Sequence, residues 1–232
     1  MTLWQYLFKL FQHLPRRFLY FCAYQILSIM KIFCIGRNYV DHALELNNPV
    51  PKSPLIFMKP ATALLTDGKP FYHPDFSENI HHEIELVLKI RKNGKNIVPG
   101  FGNDYYDEIG LGIDFTARDL QDKLKEKGQP WELAKAFDQS AVLGSFKPKG
   151  QWSDLTDIDF SLQKNGETVQ QGNSKDLIFS FDFLIEYISR FFTLQTGDLI
   201  YTGTPAGVGP VKVGDQLEGY FGQECMLKCE IK

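Results

Sequence analysis

The chain has 232 residues, 44% of them hydrophobic, with 25 Lys and Arg against 28 Asp and Glu for a net charge of −3. That length and apolar content suit one large β-rich domain or two small ones. The even charge balance excludes an extended phosphate-tracking surface, so nucleic acid is not an expected partner.

No acidic residue precedes Asp41. Residues 1–29 carry Lys9, Arg16 and Arg17 among many aromatics, and Trp4, Leu7, Phe8, Phe11 and Leu14 recur at helical spacing until Pro15. This pattern predicts a basic amphipathic helix. The apolar run from Phe18 to Met30 contains Gln25 and Ser28. It is shorter than the ~20 residues of a membrane span, so no stable span is expected. It also lacks a small-x-small cleavage site. A targeting presequence, a docking helix and an upstream extension from a misassigned start all remain open. The organisation expected is a 1–29 extension followed by a catalytic domain over 30–232.

From Met30 onward short strands and turn signals dominate. Ile32–Ile35 reads as a strand ending at Gly36, and Tyr39–Leu46 as a short helix. Leu55–Met58 is a second strand, and Ile84–Ile90 alternates cleanly. Asn93-Gly94 predicts a tight hairpin turn, as does Asn165-Gly166 between Ile158–Gln163 and Glu167–Gln170. Thr116-Ala117-Arg118-Asp119 resembles a capping box opening a helix that Gly128 ends. Ser180 is set to cap a longer helix with Leu184, Tyr187, Ile188 and Phe191 on its apolar face. Leu199–Thr202 and Met226–Ile231 complete the strands. Cys225, Leu227 and Cys229 alternate there and predict one shared strand face. With Cys22 and Cys34 they form no C-x-x-C pair, which fits ordinary reduced thiols and a cytoplasmic location.

The segment His81-His82-Glu83-Ile84-Glu85-Leu86-Val87-Leu88 is the most informative. Alternation puts Ile84, Leu86 and Leu88 on one face and Glu83, Glu85 and Val87 on the other. The two glutamate Cα atoms are then roughly 6.6–6.8 Å apart. Like charges that close need solvent or a counter-ion, and oxygen-only ligands favour Mg²⁺, Mn²⁺ or Ca²⁺ over zinc. Taken alone, the pair reads as a solvated strand face. His81 and His82 point to opposite faces and make a poor zinc pair. Asp114, a single carboxylate ending the apolar run Gly110-Leu-Gly-Ile before a helix, is a natural third ligand. Gly110-x-Gly112 lacks the third glycine of a dinucleotide loop.

Five stretches carry a resemblance. They are Gly36-Arg37-Asn38-Tyr39 with Asp41-His42, Glu83-x-Glu85, Asp114-Phe-Thr-Ala-Arg118-Asp119-Leu-Gln121, Pro130-Trp131-Glu-Leu-Ala-Lys135, and Thr202-Gly203-Thr204-Pro205-Ala-Gly207-Val-Gly209-Pro210. From Met30 to the C-terminus the chain resembles the fumarylacetoacetate hydrolase family, in its single-domain acylpyruvate hydrolase and oxaloacetate decarboxylase branch. The resemblance implies a mostly β fold with a few α-helices, a mixed β-sandwich roll, usually a homodimer. It implies Mg²⁺ or Mn²⁺ on Glu83, Glu85 and Asp114, with Lys135 catalytic. Arg118, Gln121 and Thr204 would grip the substrate carboxylate, and Arg37 is a further substrate-binding candidate. His42 and Glu45 correspond to a catalytic pair on a short mobile helix.

The implied reaction is cleavage of a C–C bond in a small 2-oxo acid through a metal-stabilised pyruvate enolate. Hydrolysis of acylpyruvates and decarboxylation of oxaloacetate both fit. An isomerase or hydratase acting on an unsaturated dicarboxylate is the alternative, and a non-catalytic ligand-binding protein is another. Arg118 offers a planar fork, with Gln121 three residues on along the same helix face. His42 and Glu45 share a face by the same spacing, so the glutamate can orient the imidazole as a base. Lys135 has apolar neighbours that lower its pKa and ligand carboxylates that raise it.

Overall fold

The computed structural model describes residues 30–46, 49–66 and 68–232, so the reading of residues 1–29 lies outside the described residues. In chain order the strands are β1 (Ile32–Gly36), β2 (Leu55–Lys59), β3 (Leu64–Leu65), β4 (Ile80–His82), β5 (Ile84–Ile90), β6 (Tyr106–Asp114), β7 (Thr116–Ala117) and β8 (Ala141–Pro148). They continue with β9 (Asp159–Lys164), β10 (Glu167–Asn173), β11 (Leu199–Tyr201), β12 (Gly209–Pro210), β13 (Gln216–Phe221) and β14 (Glu224–Glu230). Four α-helices interrupt them among the described residues: α1 (Val40–Glu45), α2 (Arg118–Glu126), α3 (Glu132–Lys135) and α4 (Phe181–Phe191). The fold is mostly β with a few helices, as expected.

The strands form a seven-stranded sheet in the order β2-β1-β11-β5-β6-β8-β3, a four-stranded sheet β10-β9-β13-β14 and a three-stranded sheet β12-β4-β7. Ile84, Leu86, Leu88 and Ile90 are all buried on β5. A Cβ added at Gly219 of β13 would lie 3.2 Å from Ile84 Cδ1 and 3.4 Å from Leu111 Cδ1, so the four-stranded sheet packs against that apolar face. The opposite face of β5 is dry as well, and this overturns the solvated reading of the glutamate pair.

One corner of the fold brings the acidic residues together. The chain leaves β4 in the small sheet, passes through Glu83 and enters β5 in the large one. Beside it, β6 leaves the large sheet at Asp114 and enters β7 in the small one. The two crossings are tied by Asp114 N donating to Glu83 O at 2.8 Å. Register then places Ile84 opposite Ile113 and Glu85 opposite Gly112. Gly112 is needed for packing, because a Cβ there would lie 2.4 Å from the Tyr201 ring.

Several local expectations give way to tertiary contacts. Asn165-Gly166 makes the two-residue turn between β9 and β10, both residues at positive φ. Asn93-Gly94 makes no hairpin. Gly94 instead bridges Leu194, and a Cβ on it would strike Tyr105 at 2.3 Å, so this glycine serves a close approach. Thr116 does not cap α2, because it is engaged in β7 opposite His81. Asp119 instead accepts from Ser77 Oγ at 2.6 Å and Leu120 N at 2.9 Å. Ser180 does cap α4, accepting from Phe183 N. The buried face of that helix is Phe181, Leu184, Ile185 and Ile188, while Phe191 is exposed. A bulge leaves Met226 without a partner between Leu227↔Gly219 and Cys225↔Tyr220. Cys225 is therefore exposed while Cys229 is buried, and the two do not share a face.

Candidate active site

Glu83, Glu85 and Asp114 are 4%, 2% and 0% exposed. One carboxylate oxygen from each lies within 4.8 Å of the others. Three buried carboxylates that close require positive charge. Lys135 supplies part of it, its Nζ donating to Glu83 Oε2 at 2.7 Å and to Asp114 Oδ2 at 2.8 Å. Arg118 Nη2 donates to Glu83 Oε1, and Lys59 Nζ forms an ion pair with Asp114 Oδ1 at 2.7 Å.

Glu85 differs. It accepts one hydrogen bond, from Gly203 N at 2.7 Å, and makes no ion pair among the described residues. Burial, with Asp114 and Glu83 adding to it, pushes the Glu85 carboxyl well above the usual carboxylate range. Glu83 goes the other way. Burial alone would raise it, but Lys135 and Arg118 hold it well below the usual range. The acidic triad can hold a metal, and its oxygen-only donors suit a hard divalent ion. Among the described residues, Glu85 is the one carboxylate of the three that lacks a cationic partner.

The pocket above the triad is lined by Arg37, His42, Arg118, Gln121, Lys135 and Thr204, together with Phe57, Lys125 and Trp131. Lys135 reaches it from the single turn of α3, and its ammonium lies 5.1 Å from the Phe57 ring centroid. Burial acts to lower its pKa, but Asp114 and Glu83 outweigh burial and the net shift is upward. Arg118 and Gln121 lie one turn apart on α2, with Nη1 donating to Gln121 Oε1 at 2.5 Å. Arg118 Nε is buried without a partner. Thr204 lines the pocket while its hydroxyl accepts from Gln170 Nε2 at 2.9 Å.

His42 is buried on α1, with Nδ1 3.4 Å from Glu45 Oε2. Burial lowers its pKa despite the opposing pull of Glu83 and Glu45. This favours the neutral imidazole, and in the tautomer with Nδ1–H directed at Glu45, Nε2 is the basic nitrogen. Glu45 does not line the pocket but has a second task. Its Oε1 accepts from Gly207 N at 3.0 Å, tying α1 to the Thr202–Pro210 loop. Gly207 has φ +96°, and a Cβ there would lie 2.3 Å from Val169 O, so glycine is required.

Two important groups escaped the sequence reading. Lys59 ends a strand before Pro60, where a lysine ordinarily reaches solvent. Here it is 1% exposed and also donates to Ser140 Oγ at 2.9 Å, Ser140 O at 3.2 Å and Phe115 O at 3.4 Å. Gln170 lies on β10 of the other sheet. Its Oε1 accepts from Ile84 N at 3.0 Å and lies 2.9 Å from His82 Nδ1, while its Nε2 holds Thr204. No pattern marks it among its polar neighbours. The histidines take no part in the metal group, for His81 Nε2 pairs with Asn79 Oδ1 at 3.0 Å.

Residues 31–231 match the family model described as fumarylacetoacetate (FAA) hydrolase C-terminal. The chain is 42% identical over 187 residues to the mitochondrial oxaloacetate tautomerase FAHD1 of Bos taurus, covering 81% of this chain and 85% of that one. It is 41% identical over 194 residues to the oxaloacetate tautomerase YcgM of Escherichia coli (strain K12), covering 83% and 89%. Among solved structures, the fumarylpyruvate hydrolase of Pseudomonas aeruginosa in complex with Mn²⁺ and pyruvate superposes with a TM-score of 0.82. It is 37% identical and covers 88% of this chain and 89% of that one.

Proposed function

The chain belongs to the fumarylacetoacetate hydrolase family, and from that premise we propose that it interconverts the enol and keto forms of oxaloacetate or a close 2-oxo acid. The observation that carries this reading is the buried triad with Lys135, Arg118 and His42 around one pocket. The relatives named as oxaloacetate tautomerases support the choice of substrate. Glu83, Glu85 and Asp114 would hold Mg²⁺ or Mn²⁺. That ion would supply Lewis-acid polarisation of the oxygens beside the reacting carbon.

The protein's own groups account for the proton transfer. Two of the three Lys135 N–H donors are taken by Glu83 and Asp114, which leaves one for the substrate oxygen at C2. The unpartnered Nε of Arg118 is available to the adjacent carboxylate. In the ketonising direction His42 Nε2 takes the enol hydroxyl proton. The O–H electron pair becomes part of the C2 carbonyl, and the C2–C3 π pair takes a proton at C3. The imidazolium just formed, held by Glu45, returns its proton there. No net proton is gained or lost.

A second reading, cleavage of the C–C bond by decarboxylation or acylpyruvate hydrolysis, uses the same electron sink. The likeness to a fumarylpyruvate hydrolase supports it, as does a His42–Glu45 pair able to activate water. The test is to give the purified chain enol-rich oxaloacetate, and separately acetylpyruvate, with Mg²⁺ or with chelator. Enol absorbance and released pyruvate are then followed. Metal-dependent enol loss without pyruvate is expected. Pyruvate release from either substrate selects the second reading, and no acceleration over metal in buffer sinks both.

A further inference from the structure

Gln170 is 2% exposed, and its amide is fully engaged. Nε2 donates to Thr204 Oγ1 at 2.9 Å and to Pro205 O at 3.0 Å. Oε1 accepts from Ile84 N at 3.0 Å and lies 2.9 Å from His82 Nδ1. The backbone partners leave this amide one orientation. Ile84 N can only donate and Pro205 O can only accept, so the oxygen faces β5 and the NH2 group faces the Thr202–Pro210 loop. His82 Nδ1 must then carry a hydrogen, and both hydrogens and both lone pairs of the amide are used.

The fold delivers this side chain across the gap between two sheets. Thr168 pairs with Gln163 and Gln170 with Leu162, so Val169 is an extra residue in β10. A bulge of this kind re-aims the side chains beside it. The same bulge presents Val169 O to Gly207, and a Cβ on Gly172 would lie 3.0 Å from Pro205 Cγ, so the loop lies directly on β10. From there the loop sends Gly203 N to Glu85 and Gly207 N to Glu45.

The consequence falls on Thr204. Its oxygen accepts from Gln170, so its single hydrogen has to go elsewhere. Among the described residues the one acceptor it meets is Pro205 O, at 3.5 Å. That exceeds the ordinary O–H···O range of about 2.5–3.0 Å, and the same carbonyl already accepts from Gln170. Thr204 lines the pocket above the triad, so its hydrogen is left for an acceptor inside that pocket.

We propose that Gln170 is a positioning residue that fixes Thr204 as a hydrogen-bond donor into the pocket, aimed at a carboxylate or keto oxygen of the substrate. It touches no reacting atom and acts through Thr204 alone. This rests on the 2-oxo acid reading above and deepens it, because an anion is held by a donated hydrogen and repelled by a lone pair. A freely turning hydroxyl would have to be ordered on binding, whereas this one is ordered beforehand by a side chain from the other sheet.

The test measures binding, not turnover. The full chain saturated with Mg²⁺ is titrated calorimetrically with pyruvate, a minimal 2-oxo acid. Thr204→Val should weaken pyruvate about tenfold, the loss of one hydrogen bond to a charged group. Gln170→Met should weaken it several-fold, because Pro205 O loses its donor and draws the Thr204 hydrogen away from the pocket. In the Thr204→Val background Gln170→Met should cost less than twofold, and in the Thr204→Ser background, which keeps the hydroxyl, its full effect should return. An equal loss in all three backgrounds would overturn the proposal and reduce Gln170 to packing. An unchanged affinity in Thr204→Val would overturn it too, and both results leave the 2-oxo acid reading standing. No pyruvate binding by the unaltered chain would sink that reading and the proposal together. Neutron diffraction from the unaltered chain in D2O reads the polarity directly, whether or not the variants fold. A Thr204 deuteron directed into the pocket is expected, and one directed at Gln170 or Pro205 would overturn the assignment.

Discussion

The floor of the pocket and the helix beside it are held in opposite ways. Glu85 and Asp114 project from β5 and β6, which have a hydrogen-bonded strand on each side in the seven-stranded sheet. Their neighbour Glu83 is pinned by Lys135 and Arg118. α1 has six residues and no side-chain cap, and its ties include one bridge from Tyr39 to Leu177 and one hydrogen bond from Gly207 to Glu45. So short a helix has little stability of its own. The floor is therefore inseparable from the fold; on the proposed function it would set what binds, whereas α1, carrying one base, would set how fast a proton moves. Damage to the floor should appear in metal affinity and stability, and damage to α1 in rate alone.

Glu85→Gln is the sharpest probe of the floor, because Glu85 has no cationic side chain to leave stranded. We expect metal affinity to fall more than about 100-fold, beyond the usual cost of losing a group that only supports a ligand. Turnover should fall to background, as read by calorimetry and the enol assay. Retained metal affinity would rule out the triad as the metal site.

Lys59→Met tests whether the floor is structural as well as chemical. Removing one partner of a buried ion pair costs roughly 3–5 kcal/mol, here because Asp114 is left with Lys135 alone of its two cations. Denaturant unfolding should show that loss, partly restored by Mg²⁺. A change under about 1 kcal/mol would contradict the assigned burial.

His42→Ala should lower kcat about 100-fold, the lower end for general acid–base catalysis, with metal affinity and unfolding midpoint little changed. Loss of metal binding in this variant would break the division between floor and helix.

The smallest expected effect is on pH dependence. Burial holds the folded pKa of His42 below the ordinary imidazole value of about 6.5. The basic, neutral form therefore predominates at and above that pH and is lost as pH falls through the lowered pKa. The kcat profile should be level from about pH 8 down past 6.5 and decline only below it. An acid limb centred at or above 6.5 would assign the base elsewhere.

The sequence was most legible where the deciding contacts are local. Asn165-Gly166 turned as written because both residues can take positive φ and the strands beside them pair with each other. Asn93-Gly94 is the same dipeptide and did not, because its glycine was recruited by Leu194, a hundred residues away. The Ser180 cap held, whereas Thr116 was drawn from its cap into a strand pair.

The alternation from Glu83 to Ile90 determined from sequence alone that two carboxylates oppose an apolar face, and Asp114 marked itself as a carboxylate closing an apolar strand. What only the tertiary structure decided is that this face is dry, that the β4–β5 and β6–β7 crossings set Asp114 beside Glu83, and that Lys59, Gln170 and Trp131 converge there. The reason is physical. Strand periodicity records which side of a sheet a residue occupies, but the worth of a charge there depends on desolvation and on partners brought by sheet pairing and packing far along the chain.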